Sequence, residues 1–278
     1  MLSQSPHQHL DTFLALLAQQ PAVLVQVEVA QGSVPRNTGT WMAVFASELV
    51  GTIGGGQLEH QALAKARTLL EKQPLQIKPE LMRFALGPSL GQCCGGVAHL
   101  RFERVQAQNA AALRARLQAA FTPVALFGGG HVGHALVRVL SPLPFALTWI
   151  DSRDGVFPAN VPGHVNCEPS EPVEAAVHTL APQSRVLIMS FSHAEDMQVL
   201  AMCLLRQRSK ADLPYIGLIG SRTKWATFQR RLLARGFTPG ELAHVTSPIG
   251  VPGIFGKEPD VIAIAVAAQL LQGLPAKP

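Results

Sequence analysis

The chain has 278 residues, 47% of them apolar and 15% charged, with a formal net charge of +5. That length suggests about two domains, and the apolar fraction excludes a disordered chain. No apolar run reaches the roughly 18 residues of a membrane span, and the scattered basic residues lack the aromatic interleaving of a nucleic-acid surface, so neither membrane nor nucleic acid is an expected partner.

Residues 8–20 carry Leu10, Phe13, Leu14, Leu16 and Leu17 at helical spacing, and Pro21 stops that helix. The preceding residues lack the basic start and apolar core of a signal peptide, so a cytoplasmic location is expected. Residues 22–30 read as a strand. A breaker-rich loop follows, Gly32-Ser33-Val34-Pro35-Arg36, and then a hairpin is expected over 41–45 and 48–51. Gly54-Gly55-Gly56 runs into a helical pattern at Leu58, Ala62, Leu63, Ala66, Leu69 and Leu70. This is either a tight connection or an anion cradle at a helix N-terminus. It is not a Walker motif, because no Gly-Lys-Ser/Thr follows.

Residues 75–86 read as one or two strands, and 97–102 as another. Between them lies Gly91-Gln92-Cys93-Cys94-Gly95-Gly96. Glycines leave the sulfurs accessible and surround them with N–H groups that could stabilise a thiolate. Thiolates suit soft metals and sulfur chemistry. The other reading is two small apolar residues in a turn. With Cys167 and Cys203 the chain has four cysteines, with neither a disulfide framework nor a C-x-x-C zinc pair.

Residues 107–120 read as a helix joining two α/β domains, with the connector at 106–121 between domains spanning 1–105 and 122–278. In the second domain an apolar strand at 123–127 leads into Gly128-Gly129-Gly130-His131-Val132-Gly133 and then a helix. Gly128, Gly130 and Gly133 fit G-x-G-x-x-G in its strand–turn–helix context. The first glycine permits the turn, the second lets a phosphate approach, and the third lets helix and strand pack. A second strand at 145–150 ends at Asp151, an acid placed to bond a ribose hydroxyl, with Arg153 beside it as an anion contact. The alternative is a glycine turn without a ligand.

Pro158, Pro162, Pro169 and Pro172 suggest an irregular connection. A continuous apolar strand at 185–190 precedes Ser192, an N-cap with Glu195 completing a capping box. His193 sits where ligand groups gather at the carboxyl end of a parallel strand. Another strand at 214–218, a basic helix from Ser221 and an apolar helix over 260–271 complete the chain. Arg206, Arg208, Lys210, Arg222, Lys224, Arg230, Arg231 and Arg235 are expected on solvated helix faces, or else on an anionic-partner surface. The fold expected is two α/β domains. The C-terminal one is a Rossmann-like parallel sheet with helices on both faces, and the N-terminal one is a mixed α/β domain with a mixed sheet. The ligand is expected in the cleft between them.

These loops together resemble the xanthine dehydrogenase accessory protein family, the XdhC/CoxI type. The resemblance runs from about Val27 to the end. It rests on Gly-Ser-Val-Pro-Arg at 32–36, Gly-Thr-Ile-Gly-Gly-Gly at 51–56, Gly-Gln-Cys-Cys-Gly-Gly at 91–96, Gly-Gly-His-Val-Gly at 129–133, Asp-Ser-Arg at 151–153, Ser-His at 192–193, Gly-Leu-Ile-Gly-Ser-Arg at 217–222 and Lys-Glu-Pro at 257–259. One departure is Gly128-Gly129-Gly130 for the more usual Gly-Ala-Gly.

The resemblance implies an accessory chaperone rather than an enzyme, with no catalytic residue. Its cargo would be the molybdenum cofactor in its molybdopterin form. A cysteine desulfurase would help supply the terminal sulfido ligand, the molybdenum-binding subunit of xanthine dehydrogenase would receive the cofactor, and the chain would be a homo-oligomer, often a dimer. The implied binding set is Cys93, Cys94, Arg36, Gly54, Gly55, Gly128, Gly130, His131, Gly133, Asp151, Arg153 and His193. Cys94 is the metal ligand, because it matches the family's Cys-Gly-Gly. A separate nucleotide in the Rossmann-like domain stays open. So do an NAD(P)-dependent oxidoreductase using the Gly128–Gly133 turn with His193 as acid or base, and a sulfur carrier acting through Cys94.

Overall fold

The computed structural model describes residues 6–71, 78–86, 95–118 and 121–274. The chain divides into two compact units that meet between Ala120 and Phe121. In the first, helix α1 (Pro6–Leu17) buries Leu10, Phe13, Leu14 and Leu17, one face at helical period. Strands β1 (Ala22–Gln31), β2 (Trp41–Val44) and β3 (Leu49–Gly51) precede helix α2 (Gly56–Glu71), and β4 (Glu80–Ala85) and β5 (Val97–Val105) follow it. The sheet order is β3-β2-β1-β5-β4, and every pairing is antiparallel. The mixed sheet expected from sequence is therefore an antiparallel one.

β1 is its centre. Val23, Val25 and Val27 face a core shared with Leu58, Ala62, Ala66 and Leu69 of α2. Ala22 and Leu24, of opposite parity, are also buried. On that face Phe13 packs on Trp41 and Phe45, with ring centroids 5.4 and 6.1 Å away. Helix α3 (Ala110–Gln118), expected as a connector, buries Leu113 and Leu117 and pairs Arg114 with Asp11 of α1, so it takes part in the packing of the first unit.

The second unit contains β6 (Thr122–Phe127), α4 (His131–Leu140), β7 (Phe145–Asp151), β8 (Asn166–Pro169), a 3-10 turn over Val173–His178, β9 (Arg185–Ile188), α5 (His193–Lys210), β10 (Tyr215–Leu218), α6 (Arg222–Ala234), α7 (Pro239–Leu242), β11 (Val245–Thr246) and α8 (Pro259–Gln272). The six strands are parallel, in the order β11-β10-β9-β6-β7-β8. Counted from β6 this is 6-5-4-1-2-3, the Rossmann order read from its far edge. Val124 and Leu126 join Ala135, Leu136 and Leu140 of α4 and Ala263 and Val266 of α8 on one face. Ala125 and Phe127 join Met197, Leu200 and Leu204 of α5 and Phe228 and Leu232 of α6 on the other.

This doubly covered sheet is the architecture expected, with two additions. β8 and β11 are short edge strands, and β8 ends in Pro169, a residue sheets admit at their margins. The order in which strands are added reverses between β6 and the adjacent β9. The crevice outside their carboxyl ends is where ligands of such sheets sit.

Candidate functional site

The turn after β6 has the division of labour that the glycine spacing suggested. Gly128 has φ +124°, and a Cβ there would lie 2.0 Å from the Met189 carbonyl oxygen. A Cβ on Gly133 would lie 2.1 Å from the Gly128 oxygen, which also accepts a 2.9 Å hydrogen bond from Trp149 Nε1. Gly130 is different. A Cβ there would meet nothing within 4 Å, and Gly130 is the N-cap of α4 with no side chain capping the helix. The first N–H groups of α4 thus have no capping side chain, and His131 beside them is exposed.

Asp151 is 1% exposed at the end of β7. Its Oδ2 accepts from Gly129 N–H at 2.6 Å and from Arg153 Nη2 at 2.9 Å. Its Oδ1 accepts from Arg153 N–H and Nε, both at 2.9 Å. A carboxylate offers about four acceptor positions, and all four are filled. Burial alone would raise the pKa of this carboxyl, but the hydrogen bonds from Arg153 and Gly129 and the charge of Arg153 hold it below the usual range. The residue expected to bond a ribose hydroxyl instead ties the glycine turn to Arg153.

The loop after β9 completes this end of the sheet. The Arg153 guanidinium lies 4.6 Å over the ring of Phe191, which is 67% exposed. Glu195 accepts from Ser152 Oγ at 2.8 Å and from Phe191 N–H at 3.2 Å, while its own N–H is capped by Ser192 Oγ. The expected capping box is therefore half formed. The carboxylate reaches Phe191 and Ser152, not the Ser192 N–H. His193 is exposed in the first turn of α5, edge-on to Phe228 at 6.2 Å. Asp196 Oδ1 accepts from Ser190 N–H and Oδ2 from Lys224 Nζ at 2.6 Å, a buried pair that sequence reasoning missed.

Of the eight basic residues expected on solvated faces, six are exposed, and two, Lys224 and Arg206, prove internal. Arg206 is buried, bonding Asp212 and the carbonyls of Val177 and Leu180, and Arg208 pairs with Glu241.

In the first unit, Gly54, Gly55 and Gly56 all have positive φ. The expected anion cradle exists and is already filled. Glu59 Oε2 accepts from Thr52 Oγ1 at 2.5 Å, Ile53 N–H at 2.9 Å and Gly55 N–H at 3.1 Å. A Cβ on Gly54 would strike Pro35 at 2.6 Å and approach Arg36, and one on Gly96 would strike the Gln31 and Ser33 carbonyls at 2.5 Å. The 32–36 loop thus seats the 51–56 loop on one side and Gly95-Gly96 on the other, and exposed Arg36 belongs to this cluster. Cys93 and Cys94 lie outside the described residues.

The two described cysteines are poor nucleophiles. Burial pushes the Cys203 thiol up to about 12 and also raises Cys167. Among the described residues no cluster of three or more His, Cys, Asp or Glu could hold a metal, and no helix is long and apolar enough to cross a membrane.

A Rossmann unit with an open glycine turn, joined to an antiparallel unit with a self-filled one, defines the class of protein. The family model for the XdhC Rossmann domain matches residues 124–270, and that for the XdhC and CoxI family matches residues 15–84. The chain belongs to the XdhC family. It is 26% identical over 254 residues to the uncharacterized protein YqeB of Escherichia coli (strain K12), a match covering 91% of this chain, and it spans 43% of that protein's length. A crystal structure described as a xanthine dehydrogenase from Bacillus halodurans has the same fold, with a TM-score of 0.72 at 20% identity and 95% of each chain covered.

Proposed function

We propose that this chain is a chaperone for the molybdenum cofactor of a xanthine dehydrogenase-type enzyme. It holds the molybdopterin form as cargo while a cysteine desulfurase partner helps supply the terminal sulfur. It then passes the cofactor to the molybdenum-binding subunit, and it works as a dimer in the cytoplasm. The observation that carries this reading is the match of both units to XdhC family models. The name of the Bacillus halodurans structure is in keeping with it.

One cluster among the described residues supports such a cargo. Gly95-Gly96, which directly follow the two cysteines in the chain, are seated on the loop that carries Arg36. That cluster offers a cation, and the adjoining segment offers the soft sulfur ligands that molybdenum accepts. Cys94 would ligate or position the metal centre, with Cys93 beside it. Because Glu59 fills the Gly54-Gly55 cradle, the cofactor's phosphate would fall to Arg36. The oxidoreductase alternative in its NAD form loses support from Asp151, whose acceptor positions are taken.

The test is cofactor content. The chain and its Cys94→Ala variant, co-expressed with a source of molybdenum cofactor and purified without oxygen, are assayed for molybdenum and oxidised pterin. The reading predicts near-stoichiometric pterin in the wild type and its loss in the variant. Pterin-free wild-type protein, together with full xanthine dehydrogenase activity in cells lacking the chain, would end it.

A further inference from the structure

The switch-point crevice of the second unit combines features that the chaperone reading does not use. Its turn has three glycines whose Cβ would meet a close neighbour, Gly128, Gly129 and Gly133, and one, Gly130, whose Cβ would meet none. A helix end alone is no site, but two other observations point to a ligand here. Ser190, whose N lies 3.1 Å from where a Gly128 Cβ would sit, has a hydroxyl oxygen that is closed to solvent and without a hydrogen-bond partner among the described residues. Arg153 is the second. Asp151 grips it side-on through Nε and Nη2, which leaves Nη1 outside that grip, and Phe191 supports its flat face. The guanidinium is therefore held in one orientation, with 36% of the side chain exposed.

In a Rossmann crevice the phosphoanhydride sits on the helix N-terminus and the adenosine ribose faces the acid that ends the second strand. A free diol is read by that acid, and a 2′-phosphate by a nearby arginine. Here the acid has no acceptor position left for a diol, and the arginine is oriented beside it. A fixed guanidinium with free donors recognises a phosphate by charge-assisted hydrogen bonds. We propose that this crevice binds a nucleotide whose adenosine ribose carries a 2′-phosphate, with Arg153 on that phosphate and the N–H groups opening α4 on the phosphoanhydride, and that it discriminates against the unphosphorylated ribose. Binding, not hydride transfer, is the claim, and it stands apart from the pterin cargo.

The experiment is calorimetric titration of the full chain with 2′-phospho-ADP-ribose and with ADP-ribose. The wild type is expected to bind the 2′-phosphorylated probe at least about tenfold tighter. Arg153→Ala should bring both probes to the same weak affinity. Arg153→Lys, which keeps the charge but loses the fork, should retain only part of the preference and guards against a folding defect in the alanine variant. No saturable binding of the 2′-phosphorylated probe up to about 1 mM would overturn the proposal. So would equal or tighter binding of ADP-ribose, or a preference that survives both substitutions. None of these outcomes alters the pterin result, so the two readings fail separately.

Discussion

Each unit sends a glycine-rich turn into a helix, at Gly54–Gly56 before α2 and at Gly128–Gly130 before α4, and the two turns handle the partial positive charge of the helix end in opposite ways. Before α2 the chain supplies its own anion. The Glu59 carboxylate takes two turn N–H groups and the Thr52 hydroxyl. Before α4 the nearby carboxylate, Asp151, takes only Gly129 N–H and is otherwise saturated by Arg153, and Gly130 leaves the helix uncapped. Glycine richness at a helix start therefore does not identify an anion site. What decides is whether a carboxylate of the chain reaches the same N–H groups.

The sharpest way to break this comparison is to give the turn glycines side chains. Gly128→Ala and Gly133→Ala each drive a Cβ into backbone oxygen at about 2 Å, and they should cost about 3 kcal/mol or more in urea unfolding. Gly130→Ala meets no neighbour and should cost about 1 kcal/mol, through the poorer N-cap alone. If all three cost the same, Gly130 is not kept clear for a ligand.

Asp151→Asn should cost about 2 kcal/mol, because the buried acceptor loses its charge opposite a partly exposed arginine. It should also change the acid response. The folded carboxyl ionises below its usual range, so its contribution is present above the unfolded value of about 3.9 and is lost as pH falls through the folded one. Urea midpoints taken from about pH 6 down to about pH 3 should fall more steeply in the wild type than in the variant.

Glu59→Ala should cost about 1–2 kcal/mol by removing the internal anion. It should also turn the first cradle into one that inorganic phosphate stabilises in a thermal melt. The smallest effect is a gain. Gly130→Asp places a capping carboxylate at φ −81°, ψ −177°, and should add about 0.5 kcal/mol while closing the second turn to anions.

Much of the second unit was legible because its central strands, buried on both faces, read as continuous apolar runs such as Val124–Phe127, and because G-x-G-x-x-G has a steric cause at each glycine. The edges were not. The two residues of β11 are too short for any periodicity, and Pro169 disguised β8 as a loop. In the first unit the strands were found but not their direction, since alternation along one strand is silent about the polarity of its neighbour.

The candidate site divides in the same way. The distance from Gly130 to Asp151 picked out the acid that bonds the turn, but nothing in that spacing says that Arg153, two residues on, fills it. Nor does sequence reveal that Glu59 turns back into the preceding loop, or that Lys224 leaves its solvent face for Asp196. These are tertiary choices of a charge between water and a partner.

The most direct test of the contrast is the melting temperature of the wild type, Glu59→Ala and Gly130→Asp in inorganic phosphate, against chloride at equal ionic strength. The account predicts that phosphate raises the wild-type value, raises that of Glu59→Ala further, and leaves Gly130→Asp unmoved. An equal rise in the wild type and Gly130→Asp, or none in the wild type, would contradict it.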